Sequence, residues 1–209
     1  MKNVLKRFVA LSFVILLGSV VGYAQTPKII GDCTVSYSVS SPDASLNNTT
    51  KTFYLKGKMS RVDIESPTYT QSTIYDATTG SAVILKELGG NKYLYNLSVA
   101  QWAEKNKDFD DMQVIFQNET KTILGYECKK AVLTLKNGTS TIIYYATAIK
   151  PSLSENPFQF KGIPGFVLEY ESEISTGKKI SYTATKINFN PAPASLFEIP
   201  KTGYRVMPG

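Results

Sequence analysis

A chain of 209 residues with 23 Lys and Arg against 17 Asp and Glu has a formal charge of +6, and it contains two cysteines and no histidine. Without an imidazole, Ser-His-Asp and Cys-His nucleophile systems and histidine-ligated metal sites are excluded, and the commonest general base is missing. Part of the positive charge sits at the N-terminus in Lys2, Lys6 and Arg7, and beyond it adjacent lysines reach no more than the pairs Lys129-Lys130 and Lys178-Lys179, so no nucleic-acid footprint is expected.

Residues 1–24 read as a secretory signal: a basic start, an apolar run over 8–17, and Gly22-Tyr23-Ala24 before Gln25. Gly18, Ser19 and Gly22 interrupt the apolar stretch and no basic stop-transfer flank follows, so a membrane-spanning helix is not expected after cleavage. Residues 25–209 are expected to form a single exported domain, since no linker divides them. In an oxidising compartment Cys33 and Cys128 are available for a bridge closing a loop of about 95 residues, worth about 4–5 kcal/mol in the chain-entropy account. Two separate buried thiols are the alternative.

In chain order, strict alternation of Cys33, Val35, Tyr37 and Val39 with polar residues marks a half-buried strand over 33–39. Extended segments follow at 51–55 and 58–65, with Val62 and Ile64 on one face and Arg61, Asp63 and Glu65 on the other. Further strands are expected at 68–76, 82–88 and 92–97, separated by turn residues. Residues 98–107 lack alternation and begin with a capping serine, which predicts a short helix with Trp102 packed on the sheet. Strands resume at 112–117 and 121–124, then at 128–135 and 141–147 around Asn137-Gly138, the pairing that favours a two-residue turn with both φ angles positive. A loop over 152–161 leads to Gly162-Ile163-Pro164-Gly165, a rigid turn into a strand over 166–174, and 179–189 forms the last long strand. The expected class is α+β, β-dominated, with one to three short helices.

Candidate chemistry is sparse. Ser175 to Lys178 and Lys201-Thr202-Gly203 match short patterns of penicillin-binding enzymes, but the serine would need a buried helix and here it reads as a turn. Glu169, Glu171 and Glu173 share one strand face and invite a carboxylate-dependent hydrolase; a solvated face is the plainer reading, because like charges at that spacing repel. The acidic run from Asn106 to Asp111 departs from a calcium loop at its glycine and at its last ligand, so no metal and no cofactor is expected. The strongest feature is apolar. Trp102, Phe158, Phe160, Ile163, Pro164 and Phe166 are candidates to line a ligand site on a curved sheet, against the alternative that all of them are core.

Gly162-Ile163-Pro164-Gly165-Phe166-Val167 resembles the Gly-Leu-Pro-Gly-Leu-Ile signature of the GLPGLI family, secreted proteins of diderm bacteria, with Ile163, Phe166 and Val167 in place of Leu, Leu and Ile. Residues 121–147 and 194–206 resemble periplasmic proteins related to the lipoprotein-sorting carrier LolA. The resemblance implies a strongly curved, incomplete antiparallel β-barrel with helices on its concave side, a periplasmic location, and a concavity for a lipid or lipoprotein acyl chain; it carries over no catalytic residue. The expected function is therefore a non-enzymatic carrier or binding protein for an apolar ligand at the cell envelope. An envelope accessory protein that binds a protein partner through sheet edges and the 152–161 loop is the alternative, and a hydrolase using Glu169 and Glu171 is a third.

Overall fold

The computed structural model describes residues 26–46, 48–173 and 179–209. The secretory segment expected at 1–24 and the pattern at 175–178 lie outside the described residues. After a short β1 (Lys28–Ile30), alternating β-branched and aromatic residues build a meander of β2 (Asp32–Ser40), β3 (Thr50–Lys56), β4 (Met59–Ser66), β5 (Tyr69–Asp76), β6 (Ser81–Leu88) and β7 (Asn91–Leu97), each antiparallel to the next. Helix α1 (Val99–Lys105) interrupts the strands, followed by β8 (Gln113–Ile123), β9 (Tyr126–Thr134), β10 (Ser140–Ala146), β11 (Ile149–Pro151), β12 (Phe166–Glu173), β13 (Lys179–Asn188) and β14 (Arg205–Met207).

The main sheet has the order β14-β7-β6-β5-β4-β3-β2-β13-β12-β10-β9-β8, while β1 and β11 form a separate parallel pair. The return of β13 beside β2 places the first long strand in the middle of the sheet. Strands β14 and β8 end the sheet without pairing to each other, so it is curved but not closed into a barrel. The bend is visible in one contact. Strand β3 is three positions from β12, about 14 Å on a flat sheet, yet the rings of Phe53 and Phe166 meet edge to face with centroids 6.2 Å apart. Only a sheet folded over its own apolar face permits this. That face supplies the main core, with Val35, Phe53, Leu133, Ile143 and Leu168 at most 1% exposed. The β-dominated α+β class is thus as expected, with α1 the one α-helix among the described residues, and no described helix is long and apolar enough to cross a membrane.

Local chemistry explains the helix and several departures. Ser98 caps α1, accepting from the Gln101 amide, while the Gln101 side chain accepts from the Ser98 amide, and Trp102 lies against Tyr75 of β5. The two strands expected at 112–117 and 121–124 are one strand, β8, with a register irregularity between Phe116 and Thr120. At the β9–β10 hairpin the positive φ falls on Gly138, at +88°, and the Gly138 amide donates to Leu135 O. The turn is therefore the longer kind with its left-handed residue at Gly138, and Asn137 instead accepts from the Thr139 amide at 2.9 Å. Cys33 and Cys128 are both fully buried free thiols rather than a bridge. They enter the core from β2 and β9, which β13, β12 and β10 separate. Burial pushes the Cys33 thiol up to about 12, with Asp32 adding to the rise, and burial pushes Cys128 up to about 11.

Candidate functional site

The segment between β11 and β12 crosses the mouth of the folded sheet and is pinned along its length. The Ser152 amide donates to Ile30 O at 2.8 Å and its hydroxyl to Gly57 O at 3.1 Å. Asn156 Oδ1 accepts from the amides of Phe158 and Gln159 at 3.0 and 3.1 Å, and the Phe160 amide donates to Asn156 O at 3.0 Å. The two glycines of the turn serve different needs. Gly162 has φ +80° with open space where a Cβ would go, whereas a Cβ on Gly165 would stand 2.1 Å from the carbonyl oxygen of Ala146 on β10. Gly165 thus lets this segment lie directly on β10 before β12 begins.

This segment and its flanking strand ends form a groove of about 370 Å³, walled by Leu153, Phe160, Ile163, Pro164 and Phe166, with Lys150, Glu155 and Lys161 also on its lining. Phe160, Ile163 and Phe166 are 5%, 6% and 2% exposed and belong to the main core as well, so the groove is an opening in the core's edge rather than a chamber apart from it. Four of the six apolar candidates therefore share one site. The other two do not: Trp102 packs edge to face on Phe158 with centroids 6.3 Å apart, Trp102 faces a second cavity, and Phe158 borders a recess beside Phe109 and Met112. For Trp102 the sequence gave no sign of this, because α1 carries it to Tyr75 on the meander half of the sheet.

The second cavity, about 180 Å³, has a polar floor that the sequence reading missed. Lys51, 3% exposed, donates from Nζ to Glu155 Oε1 and to the Tyr170 hydroxyl oxygen, and Tyr170 OH in turn donates to Glu155 Oε1 at 2.6 Å. The rings of Tyr37, Tyr170 and Tyr182 surround the ammonium with centroids 5.2, 4.5 and 4.3 Å away. Burial lowers the Lys51 pKa against the opposing pull of Glu155, and it raises that of Tyr182 to about 12, with the Glu155 charge adding to the rise. Two buried polar atoms here have no hydrogen-bond partner among the described residues, Glu155 Oε2 and Trp102 Nε1. Each such group costs about 1–3 kcal/mol if left unsatisfied. Period two was the available signal for Lys51, since it shares a parity with the apolar Phe53 and Leu55.

Two of the three acidic candidates on β12 are paired. Glu169 holds Lys121 through both oxygens at 2.7 Å and accepts from the Thr183 hydroxyl, and Glu171 holds Lys179 at 3.0 Å. Each carboxylate has its own cation, an arrangement suited to cross-strand ion pairs rather than to dividing acid and base roles. Among the described residues no group of three or more His, Cys, Asp or Glu is placed to hold a metal.

No family model matches the chain, and no curated protein matches it, so the GLPGLI likeness rests on the motif at 162–167. Solved structures do match. PNGF-II superposes with a TM-score of 0.54 at 16% identity, covering 85% of this chain and 31% of that one. MucB gives 0.35 at 9% identity, covering 82% of this chain and 58% of MucB, and the LolA superfamily protein NE2245 from Nitrosomonas europaea gives 0.33 at 10%, covering 84% and 93%. The chain spans about a third of PNGF-II, and that likeness shows a shared fold alone. The likenesses to MucB and NE2245 are too loose to carry an argument.

Proposed function

We propose that this chain is a non-enzymatic binding protein of the cell envelope that holds an apolar ligand, an acyl chain of a lipid or lipoprotein, in the groove formed by residues 150–167. The observation that carries the reading is the groove itself: about 370 Å³ walled by Leu153, Phe160, Ile163, Pro164 and Phe166, within the size and character of small-ligand sites. Exposed Lys150 and Lys161 on its lining suit an anionic head at the rim. The basic, apolar and small-residue pattern of residues 2–24 supports export to the periplasm. The test is to isolate the exported chain without detergent and weigh it intact by native mass spectrometry, then extract it with organic solvent. An acyl-bearing mass on most molecules is expected; a bare chain from a lipid-rich envelope would contradict the reading.

A protein partner is the second reading, favoured by β8. This eleven-residue strand ends the sheet, so one side of its backbone has no strand beside it among the described residues, and it exposes Ile115 and Phe116 at 55% and 52%. A partner that adds a strand there would co-purify from envelope extracts and protect β8 amides from hydrogen exchange.

A further inference from the structure

We infer that the cavity over Lys51 and Glu155 is a second binding site, adjoining the apolar groove at Glu155, and that its ligand is a single neutral sugar ring. The cavity lies between the concave face and α1, lined by Ser60 and Thr73 of the meander, Trp102 of the helix, Asn156 and Gln159 of the crossing segment, and Tyr182 of β13. Its volume of about 180 Å³ equals the space of about six waters, the scale of one small ring and too little for an acyl chain.

Charge narrows the ligand further. Lys51 and Glu155 already neutralise each other, with side chains 3% and 8% exposed, so a charged ligand would bring in an ion with no counter-ion in a poorly solvated space. The unmet needs are instead one acceptor for Trp102 Nε1–H and one donor for Glu155 Oε2. A hydroxyl satisfies either role, since it both donates and accepts. Hydroxyl and amide side chains of Ser60, Thr73, Asn156 and Gln159 share the lining with the rings of Tyr75 and Trp102, which pack on each other with centroids 6.2 Å apart and supply apolar surface for the C–H groups of a pyranose. A fatty acid fits neither the size nor the polarity, and a phosphate would find its cation already paired.

Trp102 is the only tryptophan in the chain, so its emission reports on this cavity. The full chain is titrated with glucose, galactose and N-acetylglucosamine, with methyl glycosides in a second arm to separate a chain-terminal unit from a free sugar, and with glycerol and sorbitol as open-chain controls. A saturable change in emission is expected for at least one ring sugar, with half-saturation at about 1–10 mM. Trp102→Phe keeps the ring packing and removes the N–H; calorimetry is expected to show at least about tenfold weaker sugar binding, while binding of an apolar probe in the groove is unchanged. No saturable response to any ring sugar, an equal response to sorbitol, or calorimetric affinity in Trp102→Phe equal to that of the parent chain would each overturn the assignment and leave the cavity to water.

Discussion

Lys51 and Glu155 form a buried ion pair across 104 residues of sequence, joining β3, the second strand of the meander, to the segment that forms the groove. Glu155 lines both the groove and the second cavity, so the pair is a tether as well as a floor. Removing one partner leaves the other charge buried and unpaired. Lys51→Met is expected to destabilise the chain by about 3–5 kcal/mol, and adding Glu155→Leu is expected to restore at least about 1 kcal/mol of that loss. Urea unfolding of both variants reads the difference; additive losses would show that the two side chains do not interact.

The glycines of the turn separate two physical requirements. Gly165→Ala drives a methyl into the Ala146 carbonyl and is expected to cost about 1–3 kcal/mol as overpacking, with displaced β10–β12 pairing. Gly162→Ala meets no atom and pays only for its φ of +80°, about 1–2 kcal/mol. Thermal unfolding with amide exchange at Phe166 and Val167 distinguishes them: local loss of protection belongs to Gly165→Ala alone.

Alkaline pH should weaken the fold through its thiols. Cys33 and Cys128 rise from an ordinary 9.0 to about 12 and about 11 in the folded chain, so the folded state holds protons that the unfolded state releases. Their contribution is complete below pH 9.0 and is lost as pH climbs toward those raised values. Lys51, lowered from 10.5, acts in the opposite sense, adding stability as pH rises toward 10.5. Between about pH 9 and pH 10 the denaturant midpoint is expected to fall, and the fall should be shallower in a Cys33→Ala, Cys128→Ala double variant.

The edge strand makes a separate prediction. Ile115 of β8 is 55% exposed, so Ile115→Lys is expected to change stability by no more than about 0.5 kcal/mol while suppressing self-association at high concentration, as a charge on a sheet edge does. Sedimentation velocity of the two forms checks it; identical profiles would remove β8 as a docking edge.

How far the sequence disclosed this arrangement depended on periodicity. In β2, Cys33, Val35 and Tyr37 are buried at every second position as their alternation implied, and Ser98 capped the helix where a serine preceded the break in alternation. Three-residue strands such as β1, β11 and β14 are too short to carry a period. Asp63 is 6% exposed because Arg61 Nε donates to it while Arg61 also bonds Leu196 O on the 194–197 turn, and nothing local to β4 announces that cover. Glu155 lies in an aperiodic segment, so its meeting with Lys51 arises only from the folding over of the sheet.

The central claim is an apolar ligand in the groove, and the most direct measurement is a titration with the neutral fluorescent probe N-phenyl-1-naphthylamine on the exported chain and on Leu153→Asp. Leu153 is half-buried on the groove wall, at the edge of the main core rather than within it, so a carboxylate there spoils the apolar lining, and circular dichroism checks that the fold is kept. Saturable binding to the parent chain, weakened at least about tenfold in Leu153→Asp with unchanged circular dichroism, is the predicted result. Absence of saturable binding to the parent, or equal binding to both, would contradict it.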